Sequence, residues 1–250
     1  MTASVADHYA NHLAPIYSWM VGDFENACAT ANKFYSSIEL PCGSGTIAVD
    51  LGCGHGVHAV PLAGRGYQVL AIDTSSHLLS ELDTIKGDLP IKLINDDLTG
   101  FGKHLGSDSP SLIACMGDTL THLSSVDAVN ALIHESARRL SRDGLMVFGF
   151  RDYTNELKET DRLIPVRSDE DRIHTCFLEY HSETVLVHDI LHTRIDSAWK
   201  TSVSAYTKIR LCPNTFVVSV SNCGFSLIYD STDRGMHYFV FKRSLPQTAG

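Results

Sequence analysis

The chain has 250 residues, 44% of them hydrophobic, enough to bury the core of one large domain or of a domain carrying an insertion. Net charge is −9 and the only adjacent basic pairs are Arg138-Arg139 and Lys242-Arg243, which argues against a nucleic acid partner. Seven cysteines without Cys-x-x-Cys, thirteen histidines without His-Glu-x-x-His, and the absence of a signal peptide or long apolar run predict reduced thiols in a cytoplasmic protein, with no metal site and no membrane segment.

Residues 5–40 read as helical, because Tyr9, Leu13, Ile16, Tyr17 and Met20 recur at three- and four-residue steps. Pro15 and Gly22-Asp23 are expected to divide this stretch into two or three short helices, and 41–45 to form a loop. The apolar run 46–51 reads as a buried strand. It enters Gly52-Cys53-Gly54-His55-Gly56, and 57–64 reads as a helix. Such a strand–loop–helix junction is expected to aim backbone N–H groups at a ligand, with glycine allowing close approach; the alternative is a simple tight turn. The Gly-x-Gly-x-Gly spacing differs from the Gly-x-Gly-x-x-Gly of dinucleotide folds. A second strand, 67–72, closes on Asp73, whose carboxylate suits the two hydroxyls of a ribose. Asp73, Thr74 and Ser75 can equally cap the helix that follows, 75–85.

Val49-Asp50-Leu51-Gly52-Cys53-Gly54-His55-Gly56 together with Asp73 resembles the class I S-adenosylmethionine-dependent methyltransferases, which carry D-x-G-x-G-x-G and an acidic residue ending the second strand. The resemblance implies an α/β, Rossmann-like, seven-stranded and mostly parallel sheet with helices on both faces, and S-adenosylmethionine as cofactor. It implies that Gly52, Cys53 and Gly54 approach the methionyl and ribose portions, and that Asp73 with Thr74 holds the ribose. It also implies that the N-terminal helices close over the cofactor, bringing Tyr9, Tyr17 or Trp19 near its methionyl end, where an aromatic face attracts a sulfonium.

Downstream, the alternation of strand and helix itself argues for a parallel sheet. The third strand, 91–95, ends in Asp96-Asp97-Leu98, beyond the carboxyl end where ligands bind. Asp97 and the Leu98 N–H suit an adenine edge, as the resemblance also implies; otherwise Asp97 caps a short helix, 98–105. The fourth strand, 111–116, leads into Gly117-Asp118-Thr119-Leu120-Thr121-His122. By resemblance, Met116 and Gly117 flank the methionyl tail and a polar side chain among Asp118, Thr119 and His122 faces the reaction centre. His122 is the titratable candidate. A helix, 126–140, and a fifth strand, 145–150, precede Tyr153, the second candidate proton acceptor.

The pattern then turns β-rich. Segments 162–167, 172–180, 184–195 and 199–209 read as an antiparallel meander, taken as a substrate lid or an oligomer interface, with Tyr153, Tyr180, Tyr206, Arg151, Arg167 and His174 as candidate contacts. A helix, 214–223, and strands 225–229 and 236–242 resemble the reversed hairpin that completes the methyltransferase sheet. The predicted organisation is an N-terminal helical cap over 1–45, a cofactor domain over 46–151 and 212–243, and a lid over 152–211. The predicted function is methyl transfer to a small-molecule nitrogen or oxygen, in a monomer or homodimer. The alternatives are an NAD(P)-dependent oxidoreductase and a catalytically silent binding protein.

Overall fold

Short, fully apolar runs separated by helices build the sheet at the centre of the molecule. The computed structural model describes residues 5–40 and 43–244; Pro41 and Cys42 of the predicted loop lie outside the described residues. Strands β1 (Ile47–Leu51), β2 (Gln68–Asp73), β3 (Ile91–Asn95), β4 (Leu112–Cys115) and β5 (Leu145–Arg151) pair in parallel. A later hairpin, β10 (Phe225–Asp233) and β11 (Met236–Arg243), adds antiparallel to β5, giving the order β10-β11-β5-β4-β1-β2-β3. Burial on both faces explains why β4 and β5 read as continuous apolar runs. Alternate residues serve opposite cores: Val49 and Leu51 face one with Phe148, Phe216 and Phe239, while Ala48, Val69 and Val147 face the other with Leu62 and Leu82. In the first core the Phe150–Phe216 and Phe148–Phe216 rings meet edge-on at 5.0 and 5.1 Å, contacts worth about 1 kcal/mol each beyond burial.

The chain order reverses between β1 and β4, so a crevice opens there beyond the carboxyl ends of the strands. Three helical pieces cover its mouth. Helix α1 (Val5–His8), a π-helical turn (Tyr9–Leu13) and α2 (Ala14–Val21) follow one another as a single rod. As expected, Pro15 stands at the start of a new helix, in the first turn of α2. The wide turn, in which Ala14 N–H donates to Tyr9 O, lets proline enter at the start of α2. Gly22, at φ +95°, ends the rod, and the Asp23 carboxylate caps α3 (Phe24–Ser37) by accepting from Asn26 N–H at 2.7 Å.

The β-rich stretch forms a separate antiparallel sheet, β6 (Leu163–Ser168), β7 (Arg172–Tyr180), β8 (Thr184–Ile195) and β9 (Ala198–Ile209), in sequential order. Leu191 packs against Leu13 and Ile16 of the rod. At the outer end of this seam, Trp19 Nε1 donates to Asp169 Oδ2 at 2.5 Å, and Arg172 and Arg167 lie 4.5 and 5.7 Å from the Trp19 ring. The Arg167 guanidinium also fills the space beside Gly22, where a Cβ would come within 2.3 Å of Nη1.

Candidate active site

The glycine loop is folded back onto β2. Gly52 and Cys53 N–H both donate to Ile72 O, at 2.8 and 3.1 Å, and Gly54 N–H donates to Asp73 Oδ2 at 2.8 Å. The expectation that these amides point at a ligand is therefore corrected. The carbonyl at the end of β2 and the carboxylate beside it take them, so the loop offers close approach rather than free donors. Gly52, Gly54 and Gly56 all have positive φ, as the turn requires. Asp73 Oδ1 accepts from Ser75 N–H, also at 2.8 Å. Burial raises the Asp73 carboxyl, while the Ser75 and Gly54 amides oppose that. Each oxygen keeps a lone pair for a hydroxyl. Asn95 donates to the carbonyls of Asp73 and of the exposed Thr74, fixing the strand end.

At the next strand end, the predicted helix over 98–105 is a 3₁₀ turn, Leu98–His104, capped by Asp97. Asp97 Oδ1 accepts from Thr99 N–H at 2.7 Å, and its carboxylate is exposed. Asp96 is engaged elsewhere. Lys103 and His104 hold its carboxyl down at about 2.

The end of β4 carries the densest polar cluster. Asp118 Oδ1 accepts from Arg151 N–H at 2.9 Å. Its Oδ2 accepts from Tyr153 Oη at 2.7 Å and from Lys208 Nζ at 2.6 Å. Burial works against the Asp118 charge, but the Lys208 ammonium and these hydrogen bonds hold the carboxyl well below its usual range. The same pairing keeps Lys208 protonated against its own burial. Burial, reinforced by Asp118, pushes the Tyr153 phenol well above 10, so Tyr153 is a neutral donor here.

Beside this triad lie five rings. His122 stacks on Tyr206 at 5.4 Å, and its Nε2 lies 3.3 Å from Tyr9 Oη. Tyr9 faces Tyr17 at 6.3 Å, and Tyr17 meets His55 edge-on at 5.4 Å over Gly54. Burial, then the Lys208 charge, lowers His122 to about 3, so the imidazole is neutral. Its Nδ1 is buried without a partner. Burial, then Asp73, pushes Tyr17 up to about 12.

Three observations fit an adenosyl sulfonium bearing an amino-acid tail. Asp50 Oδ2, just before the loop, is buried without a partner, as an ammonium would require. Burial, then Asp73, raises Asp50 to about 7 against one bond from Ala59 N–H. Gly117 has φ +70° and open space where a Cβ would stand, next to the buried Met116. The ring faces of Tyr9 and Tyr17 supply negative quadrupole for a cation. The structure thus gathers Tyr17, Gly52, Cys53, Gly54, Asp73, Met116, Gly117 and His122 around one crevice, with Asp97 and Leu98 at the neighbouring end of β3. Sequence reading passed over Asp50 as a ligand and over Lys208 altogether; an acidic residue inside the apolar strand 46–51 was the available signal for Asp50.

Residues 48–144 match the family described as a methyltransferase domain. The glycine/sarcosine N-methyltransferase of Aphanothece halophytica is 25% identical over 113 residues, 44% of this chain and 42% of that protein, so the match spans less than half of that relative. Among solved structures, the CcbJ methyltransferase from Streptomyces caelestis superposes with TM-score 0.76 at 17% identity, over 95% of this chain and 98% of that one. CalS10, an amino pentose methyltransferase from Micromonospora echinaspora, gives 0.71 at 13% identity, over 90% and 94%. At these identities the structural likeness establishes the shared fold, inserted sheet included.

Proposed function

We propose that this chain, whose residues 48–144 match a methyltransferase domain, is a class I S-adenosylmethionine-dependent enzyme that methylates the nitrogen of a small, polar amine. When bound, S-adenosylmethionine supplies an electrophilic methyl group on a sulfonium. Asp73 holds the ribose hydroxyls, with Thr74 at the strand end. Asp97 and the Leu98 N–H read the adenine edge. Gly52, Cys53 and Gly54 let the backbone approach closely. Asp50, Met116, Gly117 and Tyr17 hold the amino-acid tail and the sulfonium.

The observation that carries the choice of nitrogen is the state of the groups at the end of β4. Asp118 is paired with Lys208, Tyr153 donates to Asp118, and His122 is lowered to about 3. None of the three is a strong base. An alcohol needs its proton removed during attack, whereas a neutral amine attacks through its lone pair and loses a proton afterwards. His122 Nδ1 accepts a hydrogen bond from the acceptor N–H and orients the lone pair. The Asp118–Tyr153–Lys208 triad fixes the wall behind it. In this reading Tyr153 positions, and His122 touches the reacting group. The names of the relatives, acting on glycine, sarcosine or an amino pentose, agree with an amine.

The inserted sheet roofs the crevice as a lid and excludes water. Its outer face exposes Ile173, Trp199 and Val203, which suits a second copy of the chain. No helix among the described residues is long and apolar enough to cross a membrane.

The test is to incubate the chain with S-adenosylmethionine and matched pairs of small amines and alcohols, and to follow methylated product and S-adenosylhomocysteine by mass spectrometry. N-methyl product from an amine, with the matched alcohol inert, is expected. Methylation of alcohols alone would overturn the acceptor assignment, and calorimetric binding of NAD in place of S-adenosylmethionine would overturn the cofactor.

A further inference from the structure

Strand β8 places Val185, Val187, Asp189 and Leu191 in one buried stripe. A carboxylate in such a stripe is costly without compensating charge. No lysine or arginine is paired with Asp189 among the described residues. What surrounds it is a set of metal-binding side chains. Cys176, its direct cross-strand partner on β7, has Sγ 2.8 Å from Asp189 Oδ1. His174, two residues earlier on the same face, has Nε2 2.9 Å from that oxygen. From the N-terminal rod, His8 Nε2 lies 2.8 Å from Asp189 Oδ2.

We propose that His174 Nε2, Cys176 Sγ and Asp189 Oδ1 form a three-residue divalent-metal site in the inserted sheet, best suited to zinc with one position left open, and that His8 from the N-terminal rod supports it by holding the other carboxylate oxygen of Asp189. The donor set of an imidazole, a thiolate and a carboxylate is that of zinc rather than of calcium or magnesium. Ligand atoms on tetrahedral zinc stand about 3.3–3.8 Å apart, from bonds of 2.0–2.3 Å. Here the Cys176–Asp189, His174–Asp189 and Cys176–His174 separations are 2.8, 2.9 and 4.0 Å, and those three ligand atoms all lie within 4.8 Å of one another. Widening the two shorter separations by about 0.4–1 Å, shared between the side chains, would open them around an ion.

The charge also closes. Zinc at +2 balances one carboxylate and one thiolate, with the His174 imidazole neutral, and the Cys176 proton leaves to solvent on binding. His8 is fixed as the support of Asp189, since Ser204 Oγ lies 2.7 Å from its Nδ1 and Tyr206 stacks on its ring at 4.0 Å. Outer hydrogen bonds to a ligating carboxylate orient it toward the metal. The ligands come from two neighbouring strands, β7 and β8, paired only by the sheet register, so no metal-binding spacing announces them.

The test uses the full chain, purified reduced and free of metal, and titrated with Co²⁺ and then Zn²⁺. Saturation at about one Co²⁺ per chain is expected, with a thiolate-to-cobalt charge-transfer band that Zn²⁺ displaces. Cys176→Ser loses the band, Asp189→Asn or His174→Ala weakens binding at least tenfold, and His8→Ala weakens it about tenfold. Because ligand variants can misfold, the thermal midpoint is measured too. Zn²⁺ raises that of the wild type and leaves that of Cys176→Ser unmoved. A wild type without the band, or Cys176→Ser with an equal band or an equal rise, would overturn the site. These readouts involve no cofactor or acceptor, so they stand apart from the methyl-transfer reading.

Discussion

Lys208 Nζ stands 2.6 Å from Asp118 Oδ2, tying β9 of the inserted sheet to the loop after β4. Removing one partner leaves the other charged and largely out of water. Lys208→Met should therefore cost about 3 kcal/mol. The double variant Lys208→Met/Asp118→Leu should recover part of that loss. Urea unfolding of the two single variants and the double variant measures the coupling; additive losses would show that the pair contributes no interaction of its own.

Asp73 has two duties, the ribose and the amides of Gly54 and Ser75. Asp73→Asn keeps the shape and loses the charge. Affinity for S-adenosylmethionine should fall roughly 100-fold, the value of two charge-assisted hydrogen bonds weakened together. Calorimetry with the cofactor checks this. Unchanged affinity would remove Asp73 from the ribose.

The Asp50 carboxyl titrates at about 7 in the folded chain against 3.8 ordinarily. Its folded value is raised, so the folded state binds more protons between these values. Stability contributed by the protonated form is present in full below 3.8 and is lost as pH rises through about 7. Relative to Asp50→Asn, the wild type should lose up to about 4 kcal/mol over that window, the limit set by a shift of about three units. Chemical unfolding of both proteins across the window gives the difference; parallel curves would mean that Asp50 is as well satisfied as in water.

His122 is lowered to about 3 from 6.5. The folded state therefore binds fewer protons than the unfolded chain between these values, and His122 costs stability as pH falls through 6.5. It should give the pH–rate profile no limb near its ordinary value. His122→Ala should lower kcat about 100-fold with little change in KM, while His122→Asn, which keeps an acceptor, should retain more of the rate. Steady-state kinetics across pH decide this. A limb near 6.5 that vanishes in His122→Ala would make His122 a titrating base.

Much of this architecture was legible in the chain. The D-x-G-x-G-x-G loop, Asp73 and the alternation of apolar runs placed β1 to β5, and turn-forming residues such as His181-Ser182-Glu183 marked the four strands of the inserted sheet to within about one residue. Contacts set by docking were not legible. Lys208 finds Asp118, and His8 finds Asp189, only because the inserted sheet and the rod close on the crevice. Nor does spacing reveal that Ile72 O and Asp73 take the loop amides, since that depends on how sharply the turn folds back. Pro15 marked the start of α2, but nothing in the spacing announced the π turn that leads into it.

Position 22 accepts only glycine, for a reason that lies across the seam rather than in its own neighbourhood. Any other residue would meet backbone strain at φ +95° and push away the Arg167 guanidinium, and with it one of the two cations resting on Trp19. A replacement there belongs to neither sheet and touches no ligand, yet its damage would surface as a loosened clasp at the far edge of the roof.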